Sequence, residues 1–181
     1  MANTALVVLV PEAEPIISGV RARYDPSVLL EVPAHVTLLF PFMPPHAVSA
    51  SVSSSLRSLF AGFESFSACF AEACRWPQEA YLTPQPNAPF IALTRCIAAA
   101  FPEYPPYEGR HADIVPHLTV AQGSAAAAEQ GVKEMEAVLA GAGPIQSVCR
   151  AATLLENSGG PWRVMQSFPF ARNTSSDMEK L

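Results

Sequence analysis

Apolar residues recur every three or four positions in three stretches of the chain, a spacing that places one hydrophobic stripe on a helix. The first predicted helix covers residues 46–63 and carries its stripe on Val48, Val52, Leu56, Leu59, Phe60 and Phe63. The second begins after Ser124, a residue type that caps helices, and stops at Gly141 and Gly143. The third runs from Pro89 to Ala100 and is ended by Pro102.

Short runs of β-branched, aromatic and other apolar residues predict strands between these helices. The first strand is residues 5–10. Two later segments each read as a strand pair, 66–73 with 80–83 and 146–155 with 162–168. The second pair is joined by residues 156–161, which hold the glycines and polar side chains of a strand-reversing loop.

The same order of elements occurs twice: a short strand containing His-x-Thr, a turn, an amphipathic helix, and a strand pair. The two histidines are 82 residues apart (117 minus 35) and the strand pairs begin 80 residues apart (146 minus 66). This duplication predicts an α+β fold of two pseudo-two-fold lobes, each of antiparallel sheet plus helices, around a central cleft. We expect one two-lobed domain over residues 1–170 and a flexible C-terminal tail over 171–181.

The net charge and the lengths of the apolar runs indicate which classes of partner to expect. Of 181 residues, 15% are charged and the formal net charge is −5, whereas a protein that grips long nucleic acid usually has a basic surface. The run at 5–10 is too short for a signal-peptide core, and no stretch approaches the roughly 20 apolar residues of a membrane helix. We therefore expect a cytoplasmic monomer with neither a membrane nor an extended nucleic-acid surface among its partners. The four cysteines lack metal-site spacing and are interpreted as reduced core thiols.

Two tetrapeptides carry the candidate chemistry, His35-Val36-Thr37-Leu38 and His117-Leu118-Thr119-Val120. Each follows a proline, which is well tolerated at the start of a strand. Residues at i and i+2 of a strand share one face, so each histidine is predicted to lie beside its threonine while the apolar neighbours enter the core.

If the lobes face each other, two imidazoles and two hydroxyls surround a space of phosphate size. Hydrolysis of a phosphodiester needs a base for the attacking water and an acid for the leaving oxygen, on opposite sides of phosphorus. Imidazole, with an ordinary pKa of about 6.5, suits both tasks. His35 and His117 are thus the candidate catalytic residues, and Thr37 and Thr119 the candidate phosphate-binding residues; no metal or cofactor is expected.

A single histidine in an apolar strand is more often a hydrogen-bonded core residue than a catalyst. The repetition of one setting at matching places in both halves favours catalysis. His46 and His111 lack that setting and are interpreted as surface residues. Several aromatic residues could stack on a nucleobase, namely Phe40, Phe42, Trp76, Tyr81 and Trp162, and three arginines could contact phosphate, namely Arg95, Arg110 and Arg163. The sequence does not choose among them.

At these residues the chain resembles the two-histidine phosphoesterase superfamily, which includes RNA 2′,3′-cyclic phosphodiesterases and 2′-5′ RNA ligase-like proteins. The signature is a pair of His-x-[Ser/Thr]-x motifs, and the likeness extends from the strand at Ala5 to Phe168. The resemblance implies metal-independent hydrolysis of the 2′,3′-cyclic phosphate of a nucleotide or RNA end to a 2′-phosphate. Many RNA-processing members continue the second motif into a basic residue, where this chain has Gln122.

Two other functions stay open at this point. A module that binds nucleotides or phosphorylated ligands without turnover would keep the same cleft. Ligation of RNA ends through 2′-5′ bonds would be the reverse chemistry, and no ATP-binding motif is visible in the sequence. The sequence leaves undetermined which histidine is the base, and whether the substrate is an RNA end, a mononucleotide or an ADP-ribose cyclic phosphate.

Overall fold

The computed structural model describes residues 3–109 and 113–172, which form two four-stranded antiparallel sheets and four α-helices. The elements in chain order are β1 (Thr4–Leu9), α1 (Glu14–Tyr24), β2 (His35–Leu39), α2 (Ala50–Phe60), β3 (Phe66–Trp76), β4 (Glu79–Gln85), α3 (Ala88–Ala100), β5 (Leu118–Gln122), α4 (Ala125–Ala142), β6 (Ile145–Cys149), β7 (Ala151–Glu156) and β8 (Arg163–Pro169). The first sheet has the order β2-β1-β7-β8 and the second β5-β4-β3-β6. The predicted α+β class with two pseudo-symmetric lobes is confirmed.

The strand pair predicted at 66–73 and 80–83 is present as the hairpin of β3 and β4, and β7 and β8 form a second hairpin. The prediction of a single strand over 146–155 is wrong, because the chain leaves one sheet at Arg150 and enters the other. In β6, buried and exposed residues alternate, whereas all but the first residue of β7 is buried. β7 lies between β1 and β8 in its sheet, and its residues after Ala151 are buried on both faces.

Each sheet combines strands from both halves of the chain. The first sheet combines β2, which carries His35, with β1 and with the C-terminal strands β7 and β8. The second sheet combines the β3–β4 hairpin with β5, the strand of the other motif. The duplicated lobes are therefore not the two sequence halves that the repeated order suggested. The helices also pack against elements from the other half of the chain: α1 packs on β5 and α4, and α3 packs on β2.

The three predicted helices are confirmed with adjusted ends. α2 begins at Ala50 after Ser49, whose Oγ accepts a hydrogen bond from the Val52 amide, and residues 45–47 form a separate 3₁₀ turn. α4 begins after Ser124, whose Oγ accepts from the Ala127 amide at 3.1 Å. Helix α1 was missed.

α4 approaches the second sheet very closely at Gly131. A Cβ placed on this glycine would lie 2.4 Å from the Cβ of Ala121 and 3.3 Å from the Cβ of Ala80. These two alanines are neighbours on β5 and β4 and are fully buried. Only a residue without a side chain fits here, so Gly131 sets the distance between helix and sheet.

Backbone hydrogen bonds link the end of the described chain to the segment that follows α2. The Ala171 amide donates to the Phe63 carbonyl at 2.8 Å, and the Ala171 carbonyl accepts from the Ser65 amide at 2.9 Å. Residues 173–181 of the predicted tail lie outside the described residues, so the boundary at residue 170 stays a prediction. Within the described part of the chain, no helix has both the length and the apolar character required to cross a membrane.

Candidate active site

The two motifs occupy equivalent positions on the two sheets. His35 begins β2 and His117 immediately precedes β5, so each starts the edge strand of its sheet. His35 and Thr37 are half-buried, and the intervening Val36 is fully buried. The second motif repeats this alternation, as the strand period of two predicts.

The imidazole of His35 is held by its own strand. Its Nδ1 lies 2.7 Å from the Pro33 carbonyl oxygen, which can only accept, so Nδ1 carries a proton. In the neutral ring Nε2 is then the acceptor, and Thr37 Oγ1 lies 3.2 Å from it. Burial lowers the pKa of His35, and the charges of Arg21 and His117 lower it further. This ring is therefore poised to accept a proton at Nε2.

His117 has the same backbone anchor and a different partner at Nε2. Its Nδ1 lies 2.7 Å from the Val115 carbonyl oxygen, and its Nε2 lies 3.5 Å from Oε1 of Glu79. The rings of Trp76 and Tyr81 meet the imidazole edge-on, with centroids 4.7 and 5.6 Å away. When protonated, His117 therefore has a carboxylate counter-ion and an aromatic enclosure.

Glu79 also binds the threonine of this motif. Thr119 Oγ1 donates to Glu79 Oε1 at 2.5 Å, so one carboxylate oxygen faces both the hydroxyl and the imidazole. This contact was not predicted, because Glu79 is the first residue of β4 and reaches the motif only through the pairing of β4 with β5. No local pattern around Glu79 signals it.

A buried ion pair lies beside the first motif. Arg21 of α1 donates from Nε to Oδ2 of Asp25 at 2.8 Å, and both residues are only 4% exposed. Arg21 Nη2 also donates to the Val32 carbonyl at 2.9 Å, immediately before Pro33. Burial opposes ionisation of Asp25, but hydrogen bonds from Ser27, Gln122 and Arg21 lower its pKa overall.

Gln122, noted above as a departure from family sequence, joins β5 to the segment that follows α1. Its Nε2 donates to Oδ1 of Asp25 at 2.7 Å. Arg21 and Gln122 line the same small cavity of about 160 Å³, together with His35, Thr37 and Thr119. A basic residue is thus present at this part of the cleft, supplied by α1 and missed by sequence reasoning.

The cavities bring three of the four predicted site residues together directly. His35, Thr37 and Thr119 share the small cavity, whereas His117 lines a larger one of about 590 Å³ with Trp76, Glu79, Tyr107 and Asp113. Thr119 joins the two regions, since Glu79 binds both Thr119 and His117. The rings are close enough for the charge of His117 to lower the pKa of His35.

The aromatic candidates fall into two groups. Phe42 is buried in the core, 5.2 Å from the ring of Phe101. Phe40 and Trp162 contact each other edge-on and line a third cavity of about 150 Å³ that also contains His35 and Thr37. Trp76 and Tyr81 surround His117. Four of the five aromatic candidates therefore lie beside the motifs.

The other candidates stay outside the site as described. Arg95 is exposed on α3, and Arg163 pairs with Glu156. His46 is exposed in the 45–47 turn, while Arg110 and His111 lie outside the described residues. The four cysteines are free, but Cys96 is exposed, so their interpretation as core thiols holds for buried Cys149 and fails for Cys96.

In the ranges 3–109 and 113–172, no cluster of three or more His, Cys, Asp or Glu side chains could hold a metal ion.

Comparison with known proteins gives one family match and several similar folds. The family model of the 2′-5′ RNA ligase superfamily matches residues 9–161. E. coli LigT in complex with 3′-AMP is 18% identical, with a TM-score of 0.61 over 93% of this chain and 97% of that one. LigT in complex with NADP⁺ is 20% identical with a TM-score of 0.59 at the same coverage. The protein TT0787 of Thermus thermophilus is 15% identical, with a TM-score of 0.58 over 92% and 97%. No curated protein matched the sequence.

Proposed function

The chain belongs to the 2′-5′ RNA ligase superfamily, a superfamily of enzymes that act on phosphodiester bonds, and from this premise we propose that it is a metal-independent cyclic phosphodiesterase. Its substrates are the 2′,3′-cyclic phosphates of nucleotides or RNA ends, and its products are 2′-phosphates. The observation that carries this proposal is the differing surroundings of Nε2 in two otherwise equivalent histidines: a hydroxyl at His35 and a carboxylate at His117.

We assign His35 as the base. Its Nδ1 proton is committed to Pro33, and burial lowers its pKa, so near neutral pH the ring is uncharged with a free electron pair at Nε2. This atom takes a proton from water while the water oxygen forms a new bond to phosphorus. Thr37 turns its hydroxyl from Nε2 to a non-bridging phosphate oxygen when substrate binds.

We assign His117 as the acid. Oε1 of Glu79 lies 3.5 Å from its Nε2, so a carboxylate oxygen faces the atom that would carry the donated proton. As the bond between phosphorus and the 3′ oxygen breaks, His117 gives its proton to that oxygen. The water proton is then on His35, the water oxygen is on phosphorus, and the products are a 2′-phosphate and a 3′-hydroxyl. Thr119 would hold another phosphate oxygen.

The net charge of the chain and the ligands bound in similar structures both favour a small substrate. The chain is acidic overall, which disfavours a long nucleic acid. E. coli LigT was crystallised with the small nucleotides NADP⁺ and 3′-AMP. The aromatic residues near both motifs supply flat surfaces for one nucleoside, each stacked base being worth about 1–3 kcal/mol. A small nucleotide or a terminal nucleotide of RNA is therefore the proposed substrate.

A product assay tests the proposal. Purified protein is incubated with the four nucleoside 2′,3′-cyclic phosphates and an RNA ending in one, with EDTA present, and the products are separated by chromatography. We expect 2′-phosphates, and a loss of rate of about 10²- to 10⁴-fold in His35→Ala and in His117→Ala. If both variants are folded and keep the full rate on every substrate accepted, the assignment is wrong.

One observation favours a second candidate, nucleotide binding without turnover. The Thr119 hydroxyl already donates to Glu79, so it can hold a phosphate oxygen during the reaction only by giving up this hydrogen bond. Calorimetry with the same cyclic phosphates distinguishes the two functions. Heat of binding with no product after long incubation supports the binding module, and formation of product removes it.

A further inference from the structure

The carboxylate of Glu79 occupies a position where the proposed reaction changes the charge of its ligand. A cyclic phosphodiester carries one negative charge, whereas the 2′-phosphate product carries close to two above its second pKa of about 6. A fixed negative charge beside the phosphate therefore penalises the product more than the substrate.

The distances place Glu79 close to the phosphate position. Its Oε1 lies 2.5 Å from Thr119 Oγ1 and 3.5 Å from His117 Nε2. A phosphate oxygen at hydrogen-bond distance from Thr119 Oγ1 would lie within about 5.5 Å of this carboxylate. At that separation, in a partly enclosed cleft, one additional charge changes affinity by about 10-fold.

The charges on the two sides of the cleft differ. On the His35 side, the Arg21 guanidinium is paired with Asp25. On the His117 side, the cavity is lined by the carboxylates of Glu79 and Asp113, with Trp76 and Tyr107 as its aromatic walls. Among the described residues that line this cavity, none is an arginine or a lysine. Among the described lining residues, the excess of negative charge therefore lies on the side of His117, the proposed acid.

We propose that Glu79 is a specificity-determining residue that favours a monoanionic phosphodiester over a dianionic phosphomonoester, and so promotes release of the product. The inference rests on the proposed function and adds to it a preference among ligands. The hydrogen bond from Thr119 to Glu79, which competes with phosphate for the Thr119 hydroxyl, then has a function. The Glu79 hydrogen bond holds Thr119 in place while the site is empty, and its charge expels the 2′-phosphate after cleavage.

Calorimetry with two unreactive ligands tests this inference at pH 8. The monoanionic probe is adenosine 3′,5′-cyclic phosphate and the dianionic probe is adenosine 2′-phosphate. The variant Glu79→Gln keeps an amide oxygen that can accept from Thr119 and removes the charge. The matched control is Glu72→Gln, which removes the same charge from an exposed position on the neighbouring strand β3.

We expect Glu79→Gln to bind adenosine 2′-phosphate about 10-fold more tightly, and the cyclic nucleotide less than about 3-fold more tightly, than the unchanged protein. Glu72→Gln should leave both affinities unchanged. A substitution that improved or damaged the whole site would change both affinities in the same direction. The ratio of the affinity for adenosine 2′-phosphate to that for the cyclic nucleotide is therefore the decisive measurement.

An unchanged ratio in Glu79→Gln, with both ligands bound, would overturn the role of Glu79 and leave the proposed function intact. Failure of both ligands to bind the unchanged protein and the variant would overturn this inference, whereas the product assay with 2′,3′-cyclic phosphates decides the proposed function separately. Product inhibition provides a second measurement: the variant should be inhibited by 2′-phosphate at about 10-fold lower concentration. Thermal unfolding of each variant confirms that it is folded.

Discussion

The two half-sites of the cleft share one motif and differ in what supports it. His35 and His117 each point Nδ1 at the carbonyl two residues earlier, at the same 2.7 Å. Beside His35 lies the ion pair of Arg21 and Asp25, and both side chains are buried. Behind His117 lies a single carboxylate at the margin of an open cavity.

In the proposed mechanism, this difference gives the two copies of the motif two different roles. A symmetrical pair of imidazoles would have no reason to divide into base and acid. Here burial and the Arg21 charge lower the pKa of His35, the proposed base, while the Glu79 carboxylate lies 3.5 Å from Nε2 of His117, the proposed acid. The proposed division into base and acid comes from side chains outside the repeated tetrapeptides. The motif would then set the position of each imidazole, and the neighbouring side chains would set its chemistry.

The largest expected difference between the half-sites is in stability. Arg21→Ala and Asp25→Ala each leave one buried charge without its partner, which typically costs about 3–5 kcal/mol. Glu79→Ala removes only a half-buried acceptor and should cost about 1 kcal/mol. The free energy of unfolding in urea measures all three.

The control for the ion pair is Arg23→Ala on the same helix. Arg23 pairs with Glu134 at the surface, where such a pair contributes about 0–1 kcal/mol. If Arg21→Ala destabilised the protein no more than Arg23→Ala, the first half-site would not be held by the buried pair.

An intermediate effect is expected at the helix that supports the second half-site. Gly131→Ala drives a Cβ into Ala121 and Ala80, the neighbours of Gln122 and Glu79, and should cost about 1–3 kcal/mol. Gly141→Ala in the same helix meets no atom within 4 Å and should stabilise by about 0.5–1 kcal/mol. Thermal and urea unfolding compare the two. Equal effects would mean that the close approach of α4 does not set the position of this sheet.

The smallest expected effect is in the pH dependence of His35. Because burial lowers the pKa of the folded ring, the unfolded chain takes up a proton near pH 6.5 and the folded chain only at lower pH. Stability should therefore fall as the pH decreases below about 6.5, and His35→Ala should reduce that dependence. The acidic limb of kcat/KM should lie below about pH 6.5 for the same reason. NMR titration of the His35 ring checks the direction, and protonation at or above about pH 6.5 would contradict it.

The parts of the fold that depend on local spacing were predictable from the sequence. His35 and Thr37 share a face because strand side chains alternate, and Ser124 caps α4 because its hydroxyl reaches a free amide. Helix α1 was missed because its apolar stripe is short and interrupted by Gly19, and is completed only by packing on β5 and α4. Tertiary contacts determined this element, and local propensity did not.

The parts of the site that depend on pairing between distant segments were not predictable. Glu79 lies 40 positions before Thr119, and their contact exists because β4 lies beside β5 in one particular register. Asp25 lies 97 positions before Gln122, and their contact requires α1 to pack on the second sheet. The change of sheet at Arg150 is equally hidden, since the sequence over 146–155 reads as one strand.

The insertion of β7 next to β1 also determines the order in which a nascent chain can mature on the ribosome. Thr4 pairs with Glu156, so β1 lacks one of its two neighbours until nearly all of the described chain has been synthesised. Both His-x-Thr tetrapeptides precede β7 in the chain and are therefore synthesised before it. Pairing across such a sequence separation is slow to nucleate. The partly translated polypeptide thus contains both motifs before the first sheet can be completed.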